Sequence, residues 1–244
     1  MTATTTAEVV SGPAVRSRRR AATALLAVIG VAALVKLRGD RRIARRHHPP
    51  VHLLIAAVAL GCARAGGASW DELRLGAGSV RRGLRYGGPL GVAVAAVAAG
   101  GARRDHFRDH GAAAHAEVPG SVTFEALVRI PLNTGVYEEV LFRSTFSALA
   151  RTIWSPPVAT AISCGLFGLW HLPDVLASSE RSPSASPVAA VVGTAAAGLA
   201  LEALAAATDS VVAPMIVHSA ANAGGLLGAT YGLDGCSSHA PAPT

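Results

Sequence analysis

Between Pro131 and Ser147 the chain reads PLNTGVYEEVLFRSTFS, two adjacent carboxylates and an arginine inside an otherwise apolar run. On a helix, Glu139 and Arg143 are four residues apart and pair on one face. Glu138 points about 100° away, with no partner nearby in sequence. Two further pairs follow at the same spacing, Phe167 with His171 and His218 with Asn222. Two Glu, two His and an Asn suit the activation of water. A carboxylate in a low-dielectric pocket can act as general base near neutral pH, and His171 can share its water. His218 and Asn222 can donate hydrogen bonds to an oxyanion, which together describes amide hydrolysis. Alternatively, Glu138, His171 and His218 make a His₂Glu zinc site with one open position. The residue types allow both.

Each pair alone has an ordinary explanation. A Glu–Arg pair four apart is usually a helix-surface pair. A histidine before a proline closes many helices, and His with Asn often bonds one membrane helix to another. Their concentration is what matters. Other long apolar stretches hold almost no ionisable groups, whereas these gather on three helices of one half.

The setting is a membrane. Of 244 residues, 51% are hydrophobic and 15% charged, against about 25% charged in soluble domains. Mean hydropathy is +0.40. Ionisable groups inside such segments mark functional sites. The net charge is +7, and every basic residue but Lys36 is arginine. These arginines flank apolar runs, where topology and anionic headgroups account for them. No basic stripe or motif points to nucleic acid. Cys62, Cys164 and Cys236 form no CxxC and no disulfide framework. The Arg, Ala and Gly richness points to a GC-rich, bacterial genome.

In order, the pattern predicts a disordered basic lead-in over 1–20 and N-terminal membrane helices over 21–119. A catalytic membrane core follows over 120–230, then a flexible tail over 231–244. The first apolar run, Ala21 to Leu37, reads as an uncleaved anchor. Apolar runs follow at Val51–Gly67 and Gly88–Ala102, with a His-containing loop from Arg103 to Gly120. Pro131 and Gly135 predict a kink, followed by a helix over 134–152. Ser155-Pro156-Pro157 opens the next helix, which Pro173 stops. A polar loop to Pro187, with SSERSPSASP at its centre, leads to a helix over Val188–Ala207 that contains Glu202. Thr208-Asp209-Ser210 makes a turn, and the last helix ends near Gly224-Gly225. The fold class is all-α: a polytopic membrane protein of six to eight transmembrane helices, with no internal repeat.

EEVLFR, FGLWH and HSAAN occur in this order in a polytopic chain. They resemble the CAAX-protease and bacteriocin-processing family of intramembrane proteases, also called CPBP or Abi. Its patterns are Glu-Glu-x-x-x-Arg, Phe-x-x-x-His and His-x-x-x-Asn. They match at Glu138, Glu139, Arg143, Phe167, His171, His218 and Asn222. Ser144 stands where many members carry glycine. The resemblance implies a conical cavity lined by polar residues of the C-terminal half and open to the cytosol. It implies endopeptidase activity on a membrane-bound substrate. Glu138 and His171 would activate water, His218 and Asn222 would hold the oxyanion, and Glu139, Arg143 and Phe167 would give structural support. The family is commonly called metalloprotease. The glutamate-activated-water mechanism, preferred here, requires no cofactor; if zinc is present, its ligands would be Glu138, His171 and His218.

The expected protein is therefore an intramembrane endopeptidase of a bacterial plasma membrane. Its partners are the bilayer and a membrane-bound peptide, lipidated or bacteriocin-like, and no nucleic acid. The alternative is a non-catalytic peptide-binding or bacteriocin self-immunity protein. A proton-coupled transporter with Glu138 and Glu202 as a relay would require repeated halves that this chain lacks.

Overall fold

Proline pairs set the start of two helices. Pro49 and Pro50 sit in the first turn of the helix at His48, and Pro156 and Pro157 in that of a later one. The missing N–H of proline is one that a first turn leaves unpaired anyway. The computed structural model describes residues 13–39, 42–102, 121–179 and 186–231. Helices α1 (Pro13–Leu34), α2 (His48–Ala65) and α3 (Ser79–Ala102) form the N-terminal part. A composite helical run then covers 122–153. It comprises α4 (Val122–Phe124), wide π-type turns over Glu125–Glu138 and Val140–Phe146, and α5 (Ser147–Ile153). Helices α6 (Pro156–Trp170), α7 (Leu172–Ser179), α8 (Pro187–Thr208) and α9 (Val212–Tyr231) follow. No strand occurs among the described residues.

Three helical stretches, Ser17–Arg38, Pro156–Ala177 and Pro187–Thr208, are long and apolar enough to cross a bilayer. The described residues are all-helical, the architecture of an integral membrane protein.

Several expectations need correction. The basic segment before Ala21 is helical from Pro13, because α1 takes Arg18 to Arg20 into its first turns. Pro131 and Gly135 do not interrupt the helical assignment of the 122–153 run. They lie inside the wide turns, which continue past both residues. Gly135 serves a close approach instead: a Cβ there would lie 1.9 Å from Ser219 Oγ and 2.9 Å from the Met215 carbonyl oxygen of α9. Pro173 does not end helical structure; it sits in the first turn of α7, after a one-residue break at His171. Nor does α9 stop at Gly224-Gly225. A Cβ at Gly224 would lie 2.5 Å from the Ala95 carbonyl oxygen, so this glycine lets α9 pack on α3 backbone to backbone. The loop over Arg103–Gly120, the centre of SSERSPSASP, the end of the tail and Cys236 lie outside the described residues, as does the lead-in before Pro13.

The 122–153 run is the centre of the molecule. Every residue from Tyr137 to Ala150 is buried, and a helix buried all round is a core helix. One side packs Tyr137, Val140, Leu141 and Phe142 against Val28 and Ala32 of α1, Ile55 and Ala56 of α2, and Phe167 of α6. Its end packs Phe146 and Leu149 against Ala21, Leu25 and Ala63. Ser144 is fully buried, and its hydroxyl donates to the Leu73 carbonyl at 2.6 Å. The serine in the usual glycine position therefore ties the core helix to the loop between α2 and α3.

A buried ionic cluster clamps this end. Glu202 of α8 meets Arg74 at 2.9 Å and Arg151 at 2.6 Å, and it accepts a hydrogen bond from Ser147 at 3.0 Å. Arg74 adopts a left-handed backbone conformation, with φ of 56°. Its carbonyl accepts bonds from the Ser79 hydroxyl and from the Val211 N–H. Glu202 is thus a structural anchor with its own arginines.

Candidate active site

The last wide turns present two neighbouring carboxylates to different surroundings. Glu139 is fully buried. One oxygen lies 3.2 Å from Arg143 Nε, and the other 2.7 Å from His218 Nδ1 of α9. Arg143 is held in turn. It donates to the Gly198 carbonyl of α8 at 3.1 Å, and its guanidinium lies 3.9 Å from the Phe167 ring centroid. Glu139 with Arg143 therefore welds three helices to the core run through neutralising contacts, as a buried charge requires.

Glu138 is supported far more loosely. Trp170 Nε1 donates to one of its oxygens at 3.3 Å. The other oxygen, Oε2, has no hydrogen-bond partner and lies 3.7 Å from His171 Nε2. That distance exceeds a direct hydrogen bond and suits two groups that share a water.

His171 is poised by the end of α6. It is the C-cap residue, and its Nδ1 lies 2.9 Å from the Phe167 carbonyl. A carbonyl only accepts, so Nδ1 carries the proton and donates. Nε2 is then left to face Glu138. The tautomer follows from the backbone position of the cap.

Phe167 joins both halves. Its ring meets His171 edge-on at 4.9 Å and His218 at 5.8 Å while covering Arg143. A single buried ring thus sets the spacing of two histidines from different helices.

The structure brings Glu138 to His171, Glu139 to Arg143 and His218, and Phe167 to Arg143 and both histidines. Asn222 is exposed, one turn beyond His218 on α9. Sequence reasoning missed Trp170, the only hydrogen-bond donor to Glu138 among the described residues. It also missed Tyr137, which stacks on His52 at 4.4 Å and meets Trp170 edge-on at 6.1 Å. Trp170 lies within FGLWH, so its place beside His171 was visible; the α2 contact was not.

The zinc alternative requires Glu138, His171 and His218 as one ligand set. Among the described residues no three His, Cys, Asp or Glu side chains are grouped to hold a metal. His218 turns to Glu139 instead of Glu138. The donor set does not fit a three-ligand site as arranged.

An apolar cavity of about 220 Å³ lies between α1, the core run and α6. Val28, Ala32, Leu141, Phe142 and Trp170 contribute to its wall, with Lys36 its one charged residue. None of the candidate catalytic residues lines it.

Residues 121–224 match the family model described as Type II CAAX prenyl endopeptidase Rce1-like. The match takes in all three motifs and bears out the resemblance drawn from them. No curated protein and no solved structure matches the chain.

Proposed function

Because residues 121–224 match the Rce1-like family model, we propose that the chain is an intramembrane endopeptidase that uses a glutamate-activated water. The observation that carries this is the open pair: Glu138 Oε2, buried and without a hydrogen bond, faces the Nε2 of a tautomerically fixed His171.

Water between them gives its proton to Glu138 as it attacks the scissile carbonyl, and His171 aligns it. The carbonyl oxygen becomes an oxyanion. His218, whose Nδ1 is held by Glu139 at 2.7 Å, is the group assigned to stabilise it. Asn222, one turn further along α9, adds a second donor. Glu138 then passes its proton to the leaving amine. Arg143, Glu139 and Phe167 keep these groups in place without touching substrate. No step requires a metal or an organic cofactor.

In this reading α2, α3, the core run and α9 share the bilayer with the three apolar helices, within the six to eight crossings expected. A polar cavity opens from Glu138 toward the cytoplasm of a bacterial cell. The substrate is a membrane-associated peptide, lipidated or bacteriocin-like. The test uses purified full-length chain in detergent with a panel of internally quenched peptides: farnesylated at a cysteine near the C-terminus, acylated, or simply apolar. The expected result is cleavage of at least one peptide, incorporation of oxygen from labelled water into the new carboxylate, and loss of turnover in His171→Ala. A chain that binds the peptides and cleaves none would support the non-catalytic alternative.

A further inference from the structure

We propose that Asn133 binds the main chain of an extended peptide substrate, one helical turn from Glu138. Asn133 is 6% exposed, and neither its side-chain oxygen nor its side-chain nitrogen has a hydrogen-bond partner. Buried polar groups are nearly always paired, and one left unpaired weakens the fold. An apolar residue of similar size would fill this position at lower cost. An amide with both ends unmatched points to a partner that arrives from outside the chain.

The wide turns give its direction. Where N–H groups bond five residues back, residues five apart share a face. Asn133 and Glu138 are five apart within the Glu125–Glu138 segment. The amide therefore lies on the Glu138 face, one turn before it. Its chain neighbours Leu132 and Thr134, on the adjoining faces, are partly buried.

The chemistry selects the ligand. A side-chain amide offers one acceptor oxygen and an NH₂ donor. A peptide unit offers the complementary N–H and carbonyl. A lone carboxylate or ammonium would satisfy only one end. The pairing reads main chain, as strand-addition sites do, and is independent of substrate sequence. This assignment deepens the protease reading and rests on it for the identity of the bound peptide.

Asn133→Leu, and Asn133→Ala should leucine prevent folding, tests it in the full-length chain with the cleaved quenched peptide. The expected result is KM raised about tenfold with kcat nearly unchanged, the pattern of lost uniform binding. The peptide-free variant should melt at or above the wild-type temperature, because an unpaired amide has been removed. A lowered melting temperature with unchanged KM would overturn the assignment and make Asn133 structural. Binding of the same peptide to the Glu138→Gln chain separates the two proposals. If wild type cleaves nothing but Asn133→Leu weakens that binding, the protease reading fails and Asn133 stands. If binding is unchanged, the Asn133 assignment fails whatever cleavage shows.

Discussion

Glu138 and Glu139 are chemically identical and adjacent, yet their surroundings differ in almost every respect. Glu139 is fully buried, with Arg143 on one oxygen and His218 on the other. Glu138 holds one tryptophan hydrogen bond and leaves its second oxygen facing a histidine across 3.7 Å. Glu139 has one oxygen hydrogen-bonded to His218 and the other ion-paired with Arg143 without a hydrogen bond, so both face a cationic or ring-nitrogen partner inside the core. A carboxylate left half-committed in a low-dielectric setting can accept a proton. The contrast teaches that one step around a helix can give neighbouring carboxylates wholly different partners. That step directs one toward α8 and α9, and the other toward the end of α6.

The largest expected effect falls on Glu139. Glu139→Ala leaves Arg143 buried without its carboxylate, which costs about 3–5 kcal/mol. Unfolding in detergent should show that loss, and activity should disappear with the fold. A variant as stable as wild type would dissolve the contrast from its structural side. His218→Ala comes next. If His218 holds the oxyanion, kcat should fall about 10²- to 10³-fold with KM little changed. A fall in stability alone would reduce it to Glu139's partner. Phe167→Leu removes the ring over Arg143 and both edge contacts to histidine. It should cost about 1–2 kcal/mol, with a modest fall in kcat, because the histidines keep their hydrogen bonds but lose their spacing. The smallest effect is expected of chelators. Exhaustive treatment should leave cleavage unchanged, and elemental analysis of active protein should find no stoichiometric zinc. Zinc-reversible inhibition would reassign Glu138, His171 and His218 as ligands.

Much of the site was legible before the fold. The four-residue spacings put Glu139 with Arg143 and Phe167 beside His171, because helix geometry alone determines those contacts. The unpaired state of Glu138 was legible by elimination. What sequence could not supply was choice among long-range partners. His218, expected as an oxyanion donor or zinc ligand, pairs with Glu139, a matter of how α9 seats against the core run. That seating depends on Gly135, whose missing side chain admits Ser219 and the Met215 carbonyl. The same glycine reads in sequence as a hinge, since helix breaking and close approach both call for glycine. Gly224 misled in the same way at the end of α9. Glu202 read as an isolated intramembrane charge, because Arg74 and Arg151 reach it from distant parts of the chain. The wide turns over Glu125–Glu138 leave no signature in residue type, yet they bring Asn133 onto the Glu138 face.

The division between the two carboxylates is tested most directly by Glu138→Gln, which keeps the shape and the tryptophan hydrogen bond while removing the base. Its cleavage rate and melting temperature should be measured together, beside those of wild type. The rate should fall by about 10²- to 10⁴-fold, the usual contribution of a general base, at an unchanged melting temperature. Near-wild-type cleavage by this variant, or its unfolding in place of inactivation, would show that Glu138 is not the base.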